Sequence, residues 1–136
     1  MFRKGLTILV VDDEDSQRRL IRGILENAGY TVVDGKDYDQ ALSVLRNQRG
    51  KVELVITDMA LPGRDGCQLV KTLIEEDPGL CALFISGLTG AELCRFYGLA
   101  TTDLHFLAKP FAAADLLQRV REVLDAGGPY LTKVAG

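Results

Sequence analysis

Asp58 stands one residue past the point where the branched apolar run Leu54-Val55-Ile56 gives way to Thr57, and the turn-rich stretch Pro62-Gly63-Arg64-Asp65-Gly66 follows it. Such a run suits a strand covered on both faces, and an open parallel sheet keeps its ligands at the carboxyl ends of its strands. A lone Asp in that place serves a turn equally well. Three other runs bear on the choice. Leu6 to Val11 ends in Asp12-Asp13-Glu14-Asp15, Cys81 to Ile85 ends in the hydroxyl of Ser86, and residues 104–108 read as one more short strand that ends in Lys109-Pro110. If the two strands that carry acids are parallel neighbours, Asp12, Asp13 and Asp58 meet at one edge, where their charges repel unless something screens them. A hard divalent cation resolves that conflict. Two or three carboxylate oxygens, a backbone carbonyl and several retained waters match Mg2+ better than the fuller oxygen cage of Ca2+. The ammonium of Lys109, placed at the same edge, pairs with carboxylates or with an incoming phosphate.

With Asp-Asp, Asp, Ser and Lys-Pro at strand ends in that order, the chain resembles the receiver domains of two-component response regulators over residues 5–126, leaving 127–136 as a flexible tail or linker stub. The resemblance implies a single flavodoxin-like α/β domain of five βα units, with a five-stranded parallel sheet of order 2-1-3-4-5 and helices on both faces. It also implies roles for individual residues. Asp58 would accept a phosphoryl group from a histidine kinase or phosphotransfer protein, with Mg2+ held by Asp12, Asp13, Asp58 and the backbone carbonyl of Ala60. Ser86 would contact the phosphoryl group, Lys109 would bind it, and Phe106 would be a switching aromatic beside Ser86. The Lys109-Pro110 bond would be cis. By the same resemblance the chain is a signalling phosphoacceptor rather than an enzyme, although it assists its own phosphotransfer and dephosphorylation.

A downstream protein partner would meet the face formed by residues 88–121, which carries few charges, chiefly Glu92, Arg95, Arg119 and Arg121, and so favours apolar contact. Two rival readings stay open. One is a Mg2+-dependent phosphatase with an aspartyl-phosphate intermediate, but such enzymes carry a second acid two residues after the nucleophile, where this chain has Ala60. The other is a scaffold receiver that is never phosphorylated, against which stands the joint presence of Asp12, Asp13, Asp58, Ser86 and Lys109. The pathway is equally open: a stand-alone regulator fits, and so does the C-terminal receiver of a hybrid sensor kinase, which Phe84-Ile85-Ser86-Gly87, residues 106–111 and Arg121-Glu122-Val123-Leu124-Asp125 resemble.

Bulk properties narrow the classes further. At 136 residues the chain has room for one domain with a real core, and 47% apolar content is that of a globular protein. A net charge of -3 provides no general attraction to nucleic acid or anionic membrane, and no basic patch interrupts it. No apolar run approaches the ~20 residues that span a bilayer. Met1-Phe2-Arg3-Lys4 leads straight into a strand without a small-residue cleavage site, so a cytoplasmic location is expected. Cys67, Cys81 and Cys94, odd in number and without CxxC spacing, read as small buried hydrophobes in a reducing compartment. His105 has no second His or nearby Cys and reads as a partly covered strand residue rather than a phosphodonor or metal ligand.

The supporting elements follow from periodicity. Leu20, Ile21, Ile24, Leu25 and Ala28 repeat at helical spacing over residues 15–29, with Arg18, Arg19, Arg22 and Glu26 on the other face, Asp15 as the expected N-cap and Gly29 as the stop. Glu14 is then either a solvated loop charge or an outer participant in the metal site. Residues 30–33 form a short edge strand, and residues 37–48 a helix that buries Tyr38, Ala41, Leu42 and Leu45. A third helix starts near Asp65 or Gly66, buries Leu69, Val70, Leu73 and Ile74, and ends before Asp77-Pro78-Gly79. Residues 87–103 hold Gly87, Gly90 and Gly98 around a short helix at 91–97, where Leu88, Leu93, Phe96, Tyr97 and Leu99 serve core packing or partner contact. A last helix over residues 113–126 buries Leu116, Leu117, Val120, Val123 and Leu124, and Asp115 in its first turn compensates for the missing hydroxyl of Ala112.

Overall fold

The computed structural model describes residues 5–87 and 105–127. Five strands, β1 (Thr7–Val11), β2 (Thr31–Gly35), β3 (Val52–Asp58), β4 (Cys81–Ser86) and β5 (Phe106–Ala108), pair in parallel in the order β2-β1-β3-β4-β5. Among the described residues they alternate with four helices, α1 (Asp15–Asn27), α2 (Tyr38–Asn47), α3 (Gly66–Glu76) and α4 (Ala113–Ala126). The expected order 2-1-3-4-5 is therefore the one observed. None of these helices is long and apolar enough to cross a membrane.

Because successive side chains of a strand point to opposite faces, each apolar run feeds two cores. Leu9, Val11 and Val55 pack on one face with Ala41 and Leu45 of α2 and Leu69, Val70 and Leu73 of α3. Ile8, Val10, Leu54 and Ile56 pack on the other with Ile21 and Leu25 of α1 and Leu116, Val120 and Val123 of α4. Burial on both sides explains why β1, β3 and β4 carry no charge before their last residues apart from the exposed Glu53 near the start of β3. Helix α2 begins at Asp37, whose side chain accepts the Gln40 N–H at 2.8 Å, and α3 begins at Asp65, which caps the Gln68 N–H in the same way.

Some expectations need correction. Asp15 is not the N-cap of α1. The carboxylate of Asp12 already accepts the Glu14 N–H at 2.9 Å, so the chain turns one residue earlier, Glu14 takes the extended cap position, and Asp15 enters the first turn to bond Arg18 at 2.6 Å. Strand β2 runs on to Gly35 because Val10 and Val11 of β1 still pair with Asp34 and Gly35. His105 is not partly covered but buried, at 2% exposure, with its carbonyl accepting the Phe84 N–H at 2.9 Å. The expected helix at 91–97 with its apolar cluster, Cys94, Leu104 and the tail from 128 onward lie outside the described residues.

Candidate functional site

Strand register brings the chemistry together. Val11 pairs with Thr57, Asp58 with Ile85, and Ser86 with Ala108, so Asp12, Asp58, Ser86 and Lys109 leave four neighbouring strands at one edge of the sheet. Asp12 is 2% exposed and Asp58 9%, and Ser86 is buried with them. Asp13 stands exposed on the loop between β1 and α1, and Ala60 stands exposed just beyond β3.

The two carboxyl oxygens of Asp58 have separate partners. Oδ2 lies 2.5 Å from Lys109 Nζ, and Oδ1 accepts the Ala60 N–H at 2.8 Å. The backbone on either side is tied to the sheet, since Met59 N–H donates to the Ile85 carbonyl and Lys109 N–H to the Ser86 carbonyl, both at 2.8 Å. The Lys109-Pro110 bond is cis. Phe106 is half-buried and packs against the core that includes Phe84, its own pairing partner across β4 and β5. The Phe106 carbonyl accepts a hydrogen bond from the guanidinium of Arg119.

Electrostatics at this edge are strained in one direction. Burial pushes the Asp12 carboxyl above its ordinary range; the Glu14 amide offsets part of this, while the neighbouring charge of Asp58 adds to it. Burial alone would lower the pKa of Lys109, but the hydrogen bond and charge of Asp58, with Asp12 and Glu14 behind them, outweigh it and raise the value. Acid thus exceeds base here. Among the described residues no three Asp, Glu, His or Cys side chains are gathered as a finished metal cluster. Two buried carboxylates at adjacent strand ends, with exposed Asp13 next to them, nonetheless suit a hard ion that keeps several of its waters, because a divalent charge relieves the burial of Asp12.

Two contributors were not singled out as part of the site from the sequence. A Cβ on Gly66 would lie 2.4 Å from the Asp58 carbonyl oxygen, so α3 starts against the end of β3 only because that position has no side chain. Arg18, assigned to the polar face of α1, donates to the Asp12 carbonyl at 2.8 Å. The spacing of Asp15 and Arg18, one helical turn apart, was the available signal for it. Burial, with a smaller contribution from Asp65, pushes the Cys67 thiol up to about 11 while its Sγ lies 3.2 Å from Met59 Sδ. Cys81 is buried in one core as expected, whereas Cys67 is only half-buried against the other.

The chain belongs to the response regulator receiver domain family, whose model matches residues 8–121. It is similar to the sensor kinase CckA of Brucella abortus, at 32% identity over 119 residues that cover 88% of this chain and 12% of the kinase. It is also similar to the response regulator receiver protein CpdR of Brucella abortus, at 33% identity over 120 residues that cover 88% of this chain and 97% of that protein. Several transcriptional regulatory proteins match over about half of their own length. Among solved structures, a chain in the CheX-CheY-BeF3-Mg2+ complex from Borrelia burgdorferi superposes with a TM-score of 0.75 at 26% identity, covering 88% of this chain and 90% of that chain. As a class, receiver domains work in two-component signalling and generally bind Mg2+.

Proposed function

We propose that residues 5–126 form a phosphoacceptor receiver in which Asp58 takes a phosphoryl group from a histidine kinase or phosphotransfer protein. The observation that carries this reading is the Asp58 carboxylate held at 2.5 Å by Lys109, with the buried Asp12 leaving the neighbouring strand. An oxygen of Asp58 attacks phosphorus, the bond from phosphorus to the donor's imidazole nitrogen breaks, and the electron pair returns to that nitrogen. Little covalent work is asked of the protein, because positioning and charge neutralisation supply most of the stabilisation in phosphoryl transfer. Lys109 offsets negative charge on the transferred group, the Ala60 N–H keeps Asp58 oriented, and the Ser86 hydroxyl donates to a phosphoryl oxygen. Mg2+, held by Asp12, Asp13, Asp58 and the Ala60 carbonyl, would neutralise further charge on that group when bound. Phe106, half-buried beside β4, then responds to the altered position of Ser86 and passes the change to a protein partner through the face of residues 88–121, of which 88–104 lie outside the described residues.

The test is direct. Incubated with Mg2+ and acetyl phosphate, the chain gains one phosphoryl group by intact mass, and Asp58→Asn gains none. Equal labelling of the variant removes Asp58 from the role.

A further inference from the structure

The metal reading of the acidic edge leaves open what holds its loop in place. The loop from Asp12 to Glu14 is exposed on its outer side and joins the sheet to α1. One side chain reaches across it. Arg18 sends one guanidinium nitrogen to the Asp12 carbonyl oxygen at 2.8 Å and another to Asp15 Oδ1 at 2.6 Å, while its Nε lies 3.6 Å from Asp34 Oδ2 near the end of β2. Its side chain is 16% exposed, although it belongs to the polar face of its helix. Arg22, one turn further on, holds the same Asp34 oxygen at 3.3 Å and so keeps it turned toward α1.

We infer that Arg18 is a positioning residue for the proposed Mg2+ site, fixing the peptide plane after Asp12 so that the carboxylates of Asp12 and Asp13 face the end of β3. A planar fork with several donors suits this task, since it can bind a carbonyl and two carboxylates from different elements at once, which an ammonium on a flexible stem does less well. Groups that orient metal ligands in this way typically change affinity by 10-fold or more when removed. The inference rests on the proposed function, because it presumes that these carboxylates hold a cation.

Charge and geometry give opposite signs here. If Arg18 were only a positive charge beside an acidic site, its removal would draw Mg2+ in more tightly. As a positioning residue, its removal weakens binding. Calorimetric titration of the metal-free chain with MgCl2 alone, with no phosphodonor, reads the sign. Arg18→Ala and Arg18→Gln are expected to bind Mg2+ on the order of tenfold more weakly, with Arg18→Lys between them and the unaltered chain. Melting temperatures of the metal-free proteins separate this from loss of fold: weaker binding with an unchanged melting temperature supports positioning. Unchanged or tighter Mg2+ binding in Ala and Gln overturns the inference while leaving the metal site standing. If the unaltered chain itself takes up no Mg2+, the metal reading fails and this inference with it. Should Arg18→Ala not fold, Arg18→Lys decides, since wild-type affinity in that variant overturns the proposal and weaker binding supports it.

Discussion

Lys109 and Asp58 are 51 residues apart in the chain, and their side chains meet at 2.5 Å with 28% and 11% exposure respectively. Removing the ammonium leaves Asp58 and Asp12 close together in a poorly hydrated place. Lys109→Ala is therefore expected to destabilise the metal-free protein by about 1–3 kcal/mol, below the range for a fully buried pair because the lysine keeps some contact with water. Urea unfolding in EDTA measures this, and Mg2+ should restore more stability to the variant than it adds to the unaltered chain. Equal midpoints with and without Lys109 would mean that the contact carries no weight in the folded state.

Asp12 should respond in the opposite sense. Its carboxyl is raised first by burial and then by the charge of Asp58, so the folded state holds a proton that the unfolded chain, titrating near the ordinary value of about 3.9, has already released. Metal-free stability accordingly falls as pH rises through the window between that value and the folded one. At neutral pH the charged form is penalised. Asn in place of Asp12 keeps an acceptor for the Glu14 N–H and removes the charge, so Asp12→Asn should be more stable than the unaltered chain by on the order of 1 kcal/mol at pH 7 without metal. Added Mg2+ should reverse that ranking. Parallel stability curves for the two proteins from pH 4 to 7 would contradict the account.

Gly66 provides a third check, this time on the backbone that carries the acceptor. Alanine there puts a methyl group 2.4 Å from the Asp58 carbonyl oxygen, with Met59 Cα also within 3.1 Å, and both are main-chain atoms without rotamers to yield. Either α3 retreats or the end of β3 shifts. Gly66→Ala is expected to lose about 1–3 kcal/mol of stability and to phosphorylate more slowly from acetyl phosphate. Wild-type stability together with wild-type labelling would show that the contact relaxes freely.

The fold was legible because β1, β3 and β4 are continuous apolar runs, a pattern that two-sided burial produces and that α1, α2 and α3 interrupt at a different period. The gathering of Asp12, Asp58, Ser86 and Lys109 was legible for the same reason, since each directly follows or ends such a run. Capping at α1 was not, because the choice between Glu14 and Asp15 depends on where the Asp12 side chain turns, a contact that no local propensity encodes. Gly66 and Arg18 escaped notice because their roles lie in distances to backbone atoms of other elements. The burial of His105 was missed since an isolated polar residue beside a three-residue strand carries no periodic signal.

That histidine leads to the last prediction. His105 is 2% exposed and its Nε2 is buried without a hydrogen-bond partner among the described residues, so the folded protein resists placing a charge there. Burial lowers its pKa first, the nearby Arg119 lowers it further, and Glu122 on the same helix only partly opposes them. Below about 6.5, the ordinary histidine value, the unfolded chain takes up a proton that the folded chain refuses. Stability therefore declines as pH falls through that value and levels off only once the folded imidazole is itself protonated. Asp12 acts in the opposite direction, so the whole-protein curve mixes the two. The difference between the unaltered chain and His105→Leu isolates the histidine, because Asp12 is common to both. Leu removes a buried polar atom, and the variant should be more stable at pH 7.5 by on the order of 1 kcal/mol. That gap should widen as the pH is lowered from 6.5 to 5.5 in urea titrations. A gap that stays constant across this interval would mean that the imidazole protonates as readily in the folded state as in the unfolded one.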